Sequence, residues 1–270
     1  MNDMSRLSLN QATLKQWSLH QAIEGCARHG IGHIGIWRDK LAEQPIGETR
    51  RHVRDAGLRV SSLCRGGFFS APTAFKRAAQ IEDNRRAIEH CAVIESPVLV
   101  LVSGPADGQT LVDARATVRD ALFELAPYAA ACGVKLGIEP LHPMYAAERS
   151  VVVTLKQANA LTEELSPHSV GVIVDAFHVW WDPEVEKEIA RAGERILGFH
   201  VSDWLVPLPD MLLGRGIMGT GCIDNRGLRE AVTLAGYGGP VEVEIFNQAL
   251  WDGDPDEALG NICRAYLESV

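Results

Sequence analysis

Short runs of apolar and β-branched residues recur along this chain. Between them lie stretches in which apolar positions return every three or four residues. Eight runs read as strands: 7–13, 33–37, 59–64, 97–102, 134–139, 170–175, 196–201 and 240–246. The intervening stretches read as helices. Ser18 with Gln21 three residues on forms a capping box, and Asp182-Pro183 reads as an N-cap followed by proline at the first helical position. Ala258, Leu259, Ile262, Cys263, Tyr266 and Leu267 form an apolar stripe at helical spacing. Five joints repeat one motif, a glycine between a helical stretch and a β-type run, at Gly30, Gly57, Gly133, Gly193 and Gly236. Such a glycine accepts the left-handed backbone that ends a helix. Eight strands alternating with helices over about 250 residues predict an α/β chain, a (β/α)8 TIM barrel forming a single domain over residues 1–270. An open doubly wound sheet is the alternative. It would more often carry a glycine-rich turn after its first strand, and none follows here. Gly214-x-Gly216-x-x-Gly219 comes instead after a loop holding Pro207 and Pro209. It reads as a flexible loop at the active site rather than a dinucleotide cradle.

Composition narrows the classes of function. The net charge of −9 and the lack of a Lys/Arg cluster speak against nucleic acid and against a membrane surface. Six cysteines without a C-x-x-C pair read as reduced thiols. No apolar signal core opens the chain and no 18-residue apolar run occurs, so a cytoplasmic protein is expected.

The chemistry lies at the strand ends. "VGVIVDAFHVWWDP" (170–183) begins as an apolar run suited to a barrel wall, yet ends on Asp175 with His178 three residues on. The neighbouring runs behave alike: "VKLGIE" ends on Glu139, "ILGFH" on His200, and "VEVEIF" carries Glu244. In a parallel barrel these ends gather at one mouth. Gly137 and Gly198, two residues before Glu139 and His200, share their faces and would leave room in the interior. Glu242 shares a face with Glu244 but would sit one layer lower. Any one of these groups alone could cap a helix or pair with an arginine. Four in consecutive strands are better explained by a cation, because converging carboxylates repel one another unless protonated or bridged. Two Glu, one Asp and one His suit a single divalent ion such as Mn²⁺, Mg²⁺, Co²⁺ or Zn²⁺.

The chain resembles the xylose isomerase-like barrels, the superfamily of ketose 3-epimerases, hydroxypyruvate isomerases, inosose dehydratases and the endonuclease IV type of repair enzyme. "GIEPLHP" (137–143), "VDAFHVWWDP" (174–183), "GFHVSDW" (198–204), "GRGIMGTGCID" (214–224) and "EVEIFN" (242–247) carry the likeness, which spans essentially the whole sequence. The resemblance implies Glu139, Asp175, His200 and Glu244 as metal ligands and His178 as a substrate contact. It implies an arginine contact to substrate as well, for which Arg215 is the candidate, on a longer loop than the pattern has.

The expected activity is divalent-metal-dependent isomerisation or epimerisation of a small sugar, ketose or polyol through an enediolate, with Glu139 and Glu244 moving the proton. The alternative is a dehydratase or lyase acting on a keto-polyol of inosose or dehydroshikimate type, or cleaving a keto-glycoside. His142 and Asp203 are candidate substrate contacts, with surface exposure and turn capping as their plain alternatives. Arg65, in "CRGGFF", would bind a phosphate or carboxylate or else stabilise its loop, the latter being favoured. Trp37, Trp180, Trp181, Trp204 and Trp251 fall in or near strand-end loops, where they wall a sugar site or pack in a core or dimer contact. The expected partner is a small sugar or polyol, with a homo-oligomer possible.

Overall fold

In the computed structural model, which describes residues 3–270, eight parallel strands close into a barrel surrounded by helices. Around the barrel they run β1 (Leu7–Asn10), β2 (His33–Trp37), β3 (Arg59–Gly67), β4 (Val98–Val102), β5 (Lys135–Glu139), β6 (Val170–Asp175), β7 (Ile196–Val201) and β10 (Val241–Val243), which pairs back onto β1. Between β7 and β10 the chain adds a small antiparallel ribbon, β8 (Asp203–Trp204) with β9 (Arg215–Gly216). The segment expected to be a flexible loop therefore contains a short paired strand.

All eight predicted strands are present. Their ends shift where local hydrogen bonding competes with the ladder. The first run stops at Asn10, whose side chain accepts the Ala12 N–H (3.1 Å) and turns residues Gln11–Leu14 into a 3₁₀ helix. The third run continues to Gly67. Its register against β2 slips by one residue between Ile34 and Gly35, opposite Val60 and Ser62. That bulge leaves Ser61 without a partner across the ladder. Ser18 and Gln21 form both halves of the expected capping box. Asp182-Pro183 does not open a helix; Asp182 accepts the Glu184 N–H (2.9 Å), and the helix begins at Val185.

The strands are apolar because both of their faces are covered. β4, Val-Leu-Val-Leu-Val, is buried at all five positions, as a parallel strand between helices and barrel interior must be. Gly137 and Gly198 do not leave an empty interior. Ile173, from the intervening β6, fills the space, and its Cδ1 would lie 2.6 Å and 2.9 Å from a Cβ at either glycine. The site above them thus rests on a packed floor. Among the described residues no helix is long and apolar enough to cross a membrane.

Candidate metal centre

Glu139 ends β5, Asp175 ends β6, His200 is the penultimate residue of β7, and Glu244 follows β10 directly. Asp175 and His200 are register partners, as are His200 and Glu242. Parallel alignment therefore brings these side chains to one mouth. One ligand atom from each of Glu139, Asp175, His200 and Glu244 lies within 4.8 Å of the others, and all four residues are buried.

The bonding of these four groups is incomplete in the way a cation would complete. His200 Nδ1 lies 3.2 Å from Glu139 Oε1, yet both atoms lack a hydrogen bond although buried. Buried polar atoms are almost always satisfied, so two orphans facing each other among further carboxylates fit a metal between them. The other groups are held. Asp175 Oδ1 accepts the Phe177 N–H (2.9 Å). Arg215 Nη1 donates to Asp175 Oδ2 (3.1 Å) and to Glu244 Oε2 (3.0 Å). The Arg215 guanidinium is itself clamped between the rings of Phe177 and Phe246, 4.6 and 5.0 Å from their centroids.

Glu242 supports the site from below. It accepts hydrogen bonds from Asn10 Nδ2 (2.7 Å), Ser61 Oγ (2.6 Å) and Ser62 Oγ (3.0 Å). Two consecutive residues of a regular strand face opposite ways; the β3 bulge is what lets Ser61 and Ser62 reach the same carboxylate. Glu242 Oε1 lies 3.8 Å from His200 Nε2, which leaves Nδ1 facing the carboxylate cluster. A carboxylate behind a ligating histidine fixes the ring and raises its basicity. A Cβ at Gly35 would overlap the Glu242 carboxylate. Gly35→Ala is therefore expected to destabilise the fold by about 1–3 kcal/mol and to weaken metal binding by about 10–100-fold, measured by denaturant titration and by metal titration.

Charge is unevenly tolerated here. Burial pushes Asp175 and Glu244 up, with Arg215 opposing the rise in both. Burial pulls His200 down, but Glu242, Glu139 and Glu244 outweigh it and raise the imidazole to about 10. At neutral pH the metal-free imidazole is thus protonated, and an entering cation displaces that proton. Metal affinity is expected to rise by about tenfold per pH unit through the neutral range and to level off above the raised value. Calorimetric titration with Mn²⁺ in buffers of differing ionisation enthalpy should register the released proton; pH-independent affinity would refute this linkage.

A pocket opens over the cluster, lined among others by Trp37, Tyr145, His178, Arg215, Phe246 and the two glutamates. His178 is buried, and burial together with Arg215 holds it well below the usual histidine range, so the ring is neutral. Its Nδ1 accepts the His142 N–H (3.2 Å), so the proton sits on Nε2. Arg215 Nη2, 3.2 Å from Nε2, offers no lone pair. Nε2 also lies 3.6 Å from Asp175 Oδ2, so this ring edge faces the carboxylate cluster.

Of the sequence-predicted contacts, His178 and Arg215 join the pocket and two do not. The His142 ring accepts the Met144 N–H (3.2 Å) and packs 4.9 Å from the Trp204 ring; its backbone, not its imidazole, serves the site by orienting His178. Asp203 is fully buried and accepts four backbone N–H groups, from Trp204, Gly219, Gly221 and Ile223, at 2.8–3.0 Å. It shapes the segment that delivers Arg215. Among the tryptophans, Trp37 lines the pocket and donates Nε1–H to Asn10 Oδ1 (2.7 Å). Arg65, Phe68, Tyr145 and Arg149 also line the pocket. Apart from Arg65, nothing in the sequence marks them, since loop residues carry no periodic signal.

The sequence matches, over residues 23–265, the family model described as xylose isomerase-like TIM barrel. It is 24% identical to the inosose isomerase of Bacillus velezensis over 94% of this chain and 93% of that protein. It is 31% identical to the 3-dehydroshikimate dehydratase of Pseudomonas aeruginosa over 85% of this chain, a region that is 36% of that protein. A crystal structure of a protein from Sinorhizobium meliloti 1021 superposes with a TM-score of 0.96 at 44% identity, covering 99% of both chains.

Proposed function

Since this chain belongs to the xylose isomerase-like TIM barrel family, we propose that it is a divalent-metal-dependent isomerase or epimerase of a small ketose or polyol. The observation that carries this reading is the facing pair of orphaned atoms, Glu139 Oε1 and His200 Nδ1, within the four-residue cluster. Glu139, Asp175, His200 and Glu244 would hold the ion, which when bound supplies Lewis acidity to neighbouring substrate oxygens. The protein's own groups handle the proton. Glu139 and Glu244 stand three strands apart around the barrel, so their carboxylates approach a bound substrate from different sides. One removes the proton from the carbon beside the carbonyl. The other, in its protonated form, delivers its own proton to the opposite face and inverts that carbon, whereas the first base giving its proton to the adjacent carbon isomerises the sugar. His178 Nε2–H donates to a substrate oxygen, and Arg215 steadies Glu244. Trp37, Tyr145 and Phe246 keep water from the reacting face.

The name of the B. velezensis relative supports isomerisation. That of the P. aeruginosa relative supports a second reading, loss of a β-hydroxyl from the same intermediate. Incubation of the Mn²⁺-loaded protein with a panel of ketoses and keto-polyols in D₂O tests both. Deuterium entering beside the carbonyl without loss of water supports the first, and a new ultraviolet-absorbing enone supports the second. No exchange and no enone across the panel would count against the proton-transfer reading itself.

A further inference from the structure

Two guanidinium groups line the pocket with no carboxylate paired to them. Arg65 lies near the end of β3, and Arg149 follows the 3₁₀ turn Pro143–Tyr145; both line the cavity that holds Glu139 and Glu244. Arg215, the third arginine of this pocket, is committed to Asp175 and Glu244. Among the described residues, neither the Arg65 nor the Arg149 side chain makes a hydrogen bond or ion pair with the protein. Each rests instead against an aromatic ring. Arg65 lies 4.3 Å from the Phe68 centroid and Arg149 lies 5.6 Å from the Tyr145 centroid. Stacking fixes the direction of a guanidinium while leaving its N–H donors free. The sequence favours a loop-stabilising role for Arg65, but the guanidinium donates nothing to its loop.

The surroundings sharpen the imbalance. Val100, Val102, Leu141 and Leu212 line the same cavity and offer no charge. Burial, and then the charge of Arg149, pull Arg65 below the usual arginine range despite the opposing pull of Glu139, so each cation feels the other. The carboxylates of Glu139 and Glu244 share this pocket but belong to the four-residue cluster, so the two like charges at its partly buried wall favour an added anion. Two guanidiniums present the paired donors that an oxyanion accepts best.

We propose that Arg65 and Arg149 form an oxyanion subsite, so that the substrate of this centre is an acidic polyol carrying a carboxylate or phosphate rather than a neutral sugar. This rests on the metal-dependent reading above, which it narrows to a substrate class. The anionic group sits at the arginines, and the reacting carbons extend from it toward Glu139 and Glu244.

Equilibrium titration of the Mn²⁺-loaded protein with glycerol, glycerate and glycerol phosphate tests the subsite. At least one acid is expected to bind tenfold or more tightly than glycerol. Arg65→Gln and Arg149→Gln should each bring it close to the glycerol level, and Arg65→Lys should retain more than Arg65→Gln. A preference for glycerate assigns the group to a carboxylate, and a preference for glycerol phosphate assigns it to a phosphate. Equal binding of all three, or an acid preference that survives both glutamine variants, overturns the proposal. Metal content and a metal-stripped titration keep the two readings apart. A protein that holds no metal yet shows an arginine-dependent anion preference retains the subsite and loses the metal centre. A protein that holds metal without that preference does the reverse.

Discussion

Glu139→Gln is expected to lower turnover by about 10²–10⁴-fold, the usual contribution of a positioned proton-transfer group. It should also lower the divalent metal retained per chain. The substitution preserves volume and removes one charge from a cluster whose ligand atoms lie within 4.8 Å of one another. Glu139 Oε1 has no hydrogen bond to lose. In the metal-free protein the relief of carboxylate repulsion offsets the loss of the ion pair to His200 Nδ1 (3.2 Å), so the fold is expected to hold. A variant that is equally folded but poor in metal and slow in turnover is the expected combination. Mass-spectrometric metal content beside initial rates checks it, and full occupancy with full turnover would sink the assignment of Glu139.

Arg215→Leu should produce the opposite balance. Arg215 is the cation between Asp175 and Glu244, which are 0% and 4% exposed. Removing one member of a buried charge set leaves the others uncompensated, at a cost of about 3–5 kcal/mol. The loss should be largest in metal-free protein, because a bound divalent ion neutralises the same carboxylates. Denaturant unfolding with and without saturating Mn²⁺ measures both arms. A destabilisation that does not shrink on adding metal would mean that the carboxylates do not share their charge with an ion. Activity should fall as well, since Glu244 would lose the partner that steadies its Oε2.

The barrel could be read from the sequence because its signals are local. Each strand is a short apolar run, and four of the five joining glycines adopt positive φ values of 71–101° after their helices. Gly193 differs, with φ 51° and ψ −125°, and leads into a 3₁₀ turn instead. The four clustered residues were legible for a related reason: parallel strands align their ends, so a polar residue ending an apolar run falls at the mouth. What the sequence hid depends on geometry across distant segments. Asp203 and His142 read as candidate substrate contacts beside the strand ends, yet one collects backbone amides and the other turns its ring toward Trp204. The support of Glu242 by both Ser61 and Ser62 needs a one-residue bulge, which no spacing rule announces. Arg149 lies beyond a loop turn whose path is set by Tyr145, whose hydroxyl donates to the Met211 carbonyl.

The four amides gathered by Asp203 bear on how a ligand is received. They tie residues 204, 219, 221 and 223 to one buried carboxylate, so the entropy of ordering this segment is lost when the chain folds and not when a ligand arrives. Arg215 is carried on that segment, opposite Trp204 in the ribbon. The pocket wall it forms is preorganised, and association at this site can proceed at the pace of diffusion and desolvation, without a disorder-to-order step ahead of it.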